Sequence, residues 1–460
     1  MRVAVVGGGI AGLAAAWELR HDAEITVYEP GRLGGKIRTS DFCGRGVDEG
    51  PDAFITRVPD AVELCAELGL AGELTAPAAG RTLVWSGGRL RPLPDDLLLG
   101  VPRRLGPLAR SGWLSPLGVG RAALDLVLPS SPSGGDISVG ELVRHRFGPE
   151  VARRLVEPLI GGIHAARIDD LSAAATAPQL LAAARRSRSL MRALRAAPPE
   201  GAPKPRPEEA PGPLFLAPGR GMGAIVDRLA GHLASTGAVV RPEAVPWVRR
   251  GRDGRVDLGV DDPFDGVVVA TPAVEAVRLL GDLAPSGLAA TASTSVVVVT
   301  LAMPAAEAPL PEGFNGVLVA PDDGRLMTAC SFGSNKWPHW SNREHTILRV
   351  SAGRHGDDRA FALDDDTLVA RLVTELDAAL GLHATPVASR VSRWPASFPL
   401  YRVGHLQRIE RGRADLARRA PAVVLAGASL GGAGIPACIR SGRQAARQLL
   451  GARGRTQTRT

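Results

Sequence analysis

Within its first 36 residues the chain sets glycines, Glu29 and Lys36 at spacings suited to holding a dinucleotide. Gly7, Gly9 and Gly12 stand in a G-x-G-x-x-G pattern, with Gly8, Ile10 and Ala11 between them. Gly7 permits a tight turn, Gly9 lets the backbone approach a diphosphate, and Gly12 lets a helix pack on a strand. A diphosphate placed there faces a helix N-terminus, where free N–H groups and the helix dipole favour negative charge. Glu29 follows at the separation at which a carboxylate takes the adenosine ribose hydroxyls. An acid at that position disfavours NADP and leaves NAD and FAD open. Gly34 and Gly35, with Lys36 and Arg38, then offer amides and positive charge to a second face of the diphosphate.

The elements needed to position these residues can be read around them. Val3 to Val6 form an apolar run of strand type, "LAAAWELR" has helical spacing, and "EITVYE" is a second strand ending at Glu29. Strand, helix, strand and terminal acid are therefore in register for a dinucleotide-binding unit. The connection after Glu29 is long and glycine-rich where an NAD domain would proceed into its next helix. In "VDEGPDAF" (47–54), Gly50 and Pro51 let the chain pass a flat ring without obstruction by side chains. Further along, 219–248 reads as helix then strand, and "FDGVVVATPA" (264–273) as a strand with a Thr-Pro stop. Residues 421–450 repeat the strand, glycine turn and helix. "STSVVVVTLAM" (293–303) reads as a buried strand.

The chain has 460 residues, which predicts two or three domains. An apolar fraction of 45% with 22% charged residues is that of a globular protein. The net charge of +8 is carried by arginine, since Lys36, Lys204 and Lys336 are the three lysines. Much of that charge reads as compositional drift in an Ala-, Gly- and Pro-rich chain. With aromatics at 4% and no dense basic run, nucleic acid is not an expected partner. Cys43, Cys65, Cys330 and Cys438 lie far apart with no C-x-x-C pair, so neither a disulfide framework nor a zinc site is expected. Met1 leads directly into a strand, and no apolar stretch reaches the ~18 to 20 residues that span a bilayer. The expected location is cytoplasmic, with at most peripheral contact with the inner face of the membrane.

"GGGIAG", "YEP", "RLGGKIRT" and "VDEGPDAF", in this order, resemble the flavin amine-oxidase superfamily, which includes monoamine oxidases, phytoene desaturases and porphyrinogen oxidases. The resemblance implies non-covalent FAD in a discontinuous Rossmann-type α/β domain, with a substrate domain and a helical cap. It extends the cofactor-binding set to Pro30, Asp52 and Ala53, to Val245 in the strand that follows the helix within 219–248, and to Ala428, Ala433, Gly434 and Ile435. "GGIHAARIDDLSAAATAPQL" (161–180), "KWPHW" (336–340), "LYRVGHLQRI" (400–409) and "LAGASLGGAGIPACIRSGRQAA" (425–446) are similar to blocks of the porphyrinogen oxidases, closest to the soluble Gram-positive branch that acts on coproporphyrinogen III. That branch implies a six-electron, oxygen-dependent oxidation to coproporphyrin III in haem biosynthesis, with hydrogen peroxide released. Protoporphyrinogen IX is the alternative substrate.

The implied domains are 1–85, 216–285 and 396–450 for FAD, 86–215 as a mainly helical cap, 286–395 for substrate, and 451–460 as a disordered tail. Proline density in 196–213 reads as an exposed loop. Where the family's eukaryotic branch has a propionate-binding arginine, this chain has about Leu98, so Arg103 and Arg104 become the candidates for propionates. No residue nominates itself as a base. Lys336 is the weak catalytic candidate, and His164, His339 and His405 fall in family-like blocks. A four-propionate substrate would also account for part of the arginine excess. Transient contact with a ferrochelatase is the remaining partner expectation. Within the flavin class the rivals are an amine oxidase, which would present paired aromatics at the flavin whereas Tyr28 and Tyr401 are the two tyrosines, and a carotenoid desaturase, which would end in a different closing block. The rival of another class is a non-catalytic flavin or porphyrin carrier.

Overall fold

The computed structural model describes residues 1–127, 134–196 and 212–457. Its chain divides into two units. The first comprises Met1–Ala76, Gly212–Ala292 and His405–Thr460, and the second Pro77–Pro211 and Ser293–Gly404. Most of the proline-rich 196–213 stretch lies outside the described residues.

The first unit is built on a five-stranded parallel sheet. Its order is Val239–Arg241, Glu24–Tyr28, Arg2–Val6, Gly266–Val269 and Val423–Leu425. Val3 lies opposite Ile25 on one side and Gly266 on the other. The central strands are buried on both faces, which explains their continuous valine runs. One face packs Ala4, Val6, Val267 and Val269 against apolar residues of helices Ala273–Leu280 and His405–Arg419.

The helix Ile10–Leu19 is apolar nearly all round and buries nine of its ten residues. The final helix, Ile435–Gln457, crosses it so closely that a Cβ on Gly442 would lie 2.1 Å from the Ala11 carbonyl oxygen. Glu67 ties three helices together. It accepts from Trp17 Nε1 at 2.7 Å and from Arg443 Nη2 at 2.7 and 2.8 Å.

The second unit holds a seven-stranded sheet in the order Ala388–Pro399, Ser293–Pro304, His345–Ala352, Met327–Phe332, Phe314–Val319, Arg81–Ser86 and Arg89–Pro92. All its pairings are antiparallel except that of Phe314–Val319 with Arg81–Ser86. Helix Asp365–Leu380 packs Leu368, Leu372 and Leu376 onto this sheet. The same unit contains the short helices between Leu105 and Arg195. The buried Asp125 caps the last of them, accepting from Ser189 Oγ and from the backbone of Leu190 and Met191, with the buried Arg146 beside it at 3.4 Å.

Four details differ from the sequence reading. Strand Arg81–Ser86 belongs to the second unit's sheet and not to the first unit's opening segment, because Phe314–Val319 supplies its partner. The strand after helix Gly223–Ser235 stops at Arg241, so Val245 lies beyond it, where Pro242 and Pro246 withhold ladder donors. The helical run 152–161 is wound as a π-helix with Pro158 inside it. The last helix continues through 451–457, part of the expected disordered tail.

Candidate functional site

The carboxyl ends of the first unit's parallel strands converge on one edge, and the strand order reverses between Arg2–Val6 and Gly266–Val269. Such a switch point is where open α/β sheets bind ligands. Gly7 leaves the first strand with φ +106°, its N–H donating to the Tyr28 carbonyl at 2.9 Å. A side chain there would press on the Ala270 backbone at 3.0 Å. Gly9 is the N-cap of the following helix and offers no side-chain cap, so the first-turn N–H groups face outward. A Cβ on Gly12 would lie 1.9 Å from the Gly7 carbonyl oxygen, so this glycine holds turn and helix in contact.

Glu29, directly after its strand, accepts from Gly8 N at 2.8 Å and Gly31 N at 3.0 Å. Two N–H donors fix the carboxylate and leave lone pairs for further hydroxyl donors. The second glycine loop reaches the same place. Gly34 N donates to Gly8 O at 2.8 Å, and a Cβ on Gly35 would lie 3.4 Å from Gly9 Cα. Lys36, one residue on, is exposed yet flanked by enough protein that desolvation lowers its pKa, against the pull of the nearby Cys438. An ammonium on a concave wall has that combination, and a bound anion would relieve it. The Cys438 thiol is pushed up to about 11 by burial, against the pull of Lys36.

Two more segments complete the cradle. The buried Asp48 accepts from Thr39 Oγ1 at 2.5 Å and Met222 N at 2.9 Å, and Thr39 accepts from Gly223 N at 2.8 Å. Glu49 takes Arg38 Nε at 2.9 Å and Ser40 Oγ at 2.6 Å. These anchors suspend Gly50, Pro51, Asp52 and Ala53, which are half-buried. At the other end of the chain, Gly427 has φ +115° and donates to Ser441 Oγ at 2.8 Å. A short turn, Ala428–Leu430, follows, and the buried His405 holds it through Nε2 at 3.1 Å from the Ser429 carbonyl. Ala433 and Gly434 then lead into Ile435, the first residue of the last helix.

Two of the glycines face open space. A Cβ on Gly9 would meet nothing within 4 Å, and one on Gly434 only Pro436 Cδ at 3.9 Å. Small residues facing space at helix starts, an anchored acid and a lysine suit an adenine dinucleotide diphosphate. Pro30 adjoins Glu29, and Val245 is buried in the core that includes Ala4, Val6 and Tyr28. The sequence reading missed the Asp48–Thr39–Met222 network and the proximity of Lys36 to Cys438. Neither leaves a local spacing to find. Among the described residues no cluster of His, Cys, Asp or Glu could hold a metal ion.

The remaining candidates lie in the second unit. Arg103 and Arg104 both pair with Asp96, at 3.7 and 2.7 Å, and Arg103 Nε also donates to Leu194 O. Lys336 Nζ lies 5.4 Å from the Trp337 ring centroid, and the His339 ring packs edge-on to Trp340. His164 is held down to about 4 by burial, so it is neutral at physiological pH, and its ring lies 6.5 Å from that of Tyr401.

The fold and cradle define a flavin-dependent oxidoreductase. The chain belongs to the flavin-containing amine oxidoreductase family, whose model it matches over residues 10–450. It is 33% identical to coproporphyrinogen III oxidase of Bacillus subtilis and 36% identical to that of Mycobacterium leprae, covering 97% of both chains in each case. Protoporphyrinogen oxidase of Macaca fascicularis is 29% identical, over 98% of each chain. A crystal structure from Exiguobacterium, provisionally named protoporphyrinogen oxidase, superposes with TM-score 0.86 at 30% identity, over 97% of this chain and 98% of that one.

Proposed function

We propose that the protein is an FAD-dependent oxidase that converts coproporphyrinogen III to coproporphyrin III in haem biosynthesis. The observation that carries this reading is full-length similarity to enzymes of that name, at 33% and 36% identity against 29% for a protoporphyrinogen oxidase. Six electrons and six protons leave the macrocycle, and three molecules of oxygen become three of hydrogen peroxide. Bound flavin supplies the electron acceptance, two electrons at a time.

The chain's own part is to hold and orient. The helix start at Gly9 to Gly12 and Lys36 answer the diphosphate charge, and Glu29 takes the ribose hydroxyls. Gly50 to Ala53, Val245, Ala428 and Ala433 to Ile435 complete the cradle. Cys438 argues for non-covalent attachment, since its buried thiol donates to Gly432 and Ala433 carbonyls and stays protonated. Arg103 and Arg104 are proposed for propionates, and Lys336 is the candidate for handling a proton. Normal turnover in Lys336→Met removes that role. The proposed location is cytoplasmic, with at most peripheral contact with the membrane's inner face, and no helix among the described residues is long and apolar enough to cross a bilayer. Product could pass to a ferrochelatase by transient contact.

Anaerobic mixing with each porphyrinogen, followed at the flavin absorption band, tests the reading. Fast bleaching by coproporphyrinogen III and slower bleaching by protoporphyrinogen IX is expected. The reverse order moves the assignment to protoporphyrinogen IX, and no bleaching by either leaves a carrier.

A further inference from the structure

The second unit gathers guanidiniums in excess of the carboxylates around them, for Asp357 and Glu157 act on Arg354 through space and so do Arg359 and Arg167. The turn 353–357 is held by two backbone hydrogen bonds. Gly353 and Gly356 have φ +93° and +78°, Asp357 N donates to Arg354 O at 2.9 Å, and His355 N donates to Ala165 O at 2.7 Å. On this turn the His355 ring nitrogen Nε2 lies 3.4 Å from Arg402 Nη2. Arg354 Nε is inaccessible to solvent and has no hydrogen-bond partner. Arg167 adds a third guanidinium in electrostatic reach of Arg354.

Among the described residues, none of Arg167, Arg354 and Arg402 lies within ion-pair distance of an acid. The turn's own acid, Asp357, is engaged by Arg359 through two 2.8 Å contacts. The other nearby acid, Glu157, is buried, and burial pushes it up to about 7, so it is only partly charged at neutral pH. Arg103 and Arg104 differ in this respect, because both pair directly with Asp96. Guanidiniums in excess of the carboxylates near them form a site for an external anion. Its surroundings specify the kind. Ile163, 56% exposed, and Val403, 40% exposed, adjoin His164 and Arg402 in sequence and offer apolar surface beside the charge. A carboxylate on an alkyl arm of an apolar body suits both features, whereas a hydrated inorganic anion uses only one.

We propose that Arg402 with His355, and Arg354 on the same turn as His355, form a carboxylate subsite that grips a propionate arm of the substrate. This rests on the porphyrinogen reading above. Arg402 is exposed, so its replacement leaves the fold intact, and Arg354 can be tested beside it.

The full-length flavoprotein and its Arg354→Met, Arg402→Met and Arg402→Lys variants are compared on coproporphyrinogen III and on its reduced tetramethyl ester. Loss of a charged hydrogen bond predicts a KM increase on the order of 10- to 100-fold for the acid in both Met variants. The kcat and the constants for the ester stay within about threefold of wild type, a range that separates a binding loss from a catalytic one. Arg402→Lys keeps charge without the planar fork and recovers part of the loss. Fluorescence titration with coproporphyrin III gives the same ranking for the oxidised macrocycle, independently of turnover. An unchanged KM for the acid in both Met variants, or equal losses on acid and ester, overturns the subsite while wild-type activity still supports the function. A wild type that oxidises no porphyrinogen overturns the function, and the subsite with it.

Discussion

Gly9 and Gly12 lie on the same turn, yet a methyl group added to each should act in opposite ways. At Gly12 the methyl would sit 1.9 Å from a backbone oxygen that cannot move without dismantling the turn. Overpacking of that kind costs about 1–3 kcal/mol where neighbours can shift, and more against backbone. Gly12→Ala is therefore expected to lower the stability of the flavin-free protein by at least about 3 kcal/mol in chemical denaturation. At Gly9 the methyl meets no protein atom, and the space it enters is that assigned to the diphosphate. Gly9→Ala should leave the flavin-free protein as stable as wild type while weakening FAD binding by about tenfold or more, one lost close contact. Isothermal titration with FAD, paired with denaturation of the flavin-free forms, measures both. Equal stability loss in the two variants would show that Gly9 serves packing alone. Glu29 is subject to the same reasoning. Its two backbone donors remain in Glu29→Gln only through one oxygen, so FAD affinity should fall while the flavin spectrum of the remaining complex stays unchanged.

Among the elements, the π-helix Ala152–Gly161 carries the clearest pH signature. Glu157 projects from it into the interior, and a Cβ on Gly161 would come within 3.0 Å of its carboxylate. Burial pushes its pKa up from the ordinary glutamate value of 4.5 to about 7, with Arg167 pulling the other way. The folded state therefore keeps a proton that the unfolded state has released. Its destabilising effect is absent below pH 4, grows as pH rises towards 7, and is constant above that. The full difference is about 3 kcal/mol at ~1.4 kcal/mol per unit. Glu157→Gln should thus exceed wild-type stability at pH 8 and converge with it near pH 4, measured by urea unfolding at both. A constant offset across that range would mean an ordinary carboxylate. The apolar spacing of "ELVRHRFGPEVARRLVEPLIGGI" within the expected helical cap is that of a helix and does not reveal the π winding, because apolar positions alone do not report a one-residue change in hydrogen-bond register. Val245 shows the same limit. Its burial was legible from its apolar type, whereas the end of its strand depended on where Pro242 and Pro246 broke the ladder. The cradle glycines were legible because each acts on neighbours within the same turn. The Arg354, His355 and Arg402 grouping was not, since only sheet pairing brings the segments of the second unit together.

Taken as a whole, the molecule builds its cofactor unit from three separate stretches of chain, and its two ends meet in one helix pair. The repeated strand, glycine turn and helix at 421–450 announced that the C-terminal stretch belonged with the first. What could not be read was how closely the two helices approach, because a contact between Ala11 and Gly442 leaves no periodic mark in either segment. That crossing makes the last helix a structural part of the fingerprint. Arg443 with Glu67, and Arg447 with Glu18 at 2.7 Å, fasten its flanks, but the separation is set by Gly442. A methyl there would meet Ala11 O at 2.1 Å and Ala15 N at 3.0 Å, both backbone, and would force the helices apart. Gly442→Ala should consequently destabilise by about 3 kcal/mol or more and, although far from Gly9 in sequence, lower FAD occupancy of the purified protein. Gly451, later in the same helix, meets nothing within 4 Å, so Gly451→Ala should stabilise by about 0.5–1 kcal/mol through helix propensity alone. Denaturation midpoints of the two variants, with the ratio of flavin to protein absorbance, decide between a close helix crossing and a loosely attached terminal helix. In the second case both substitutions stabilise, and flavin content is unchanged.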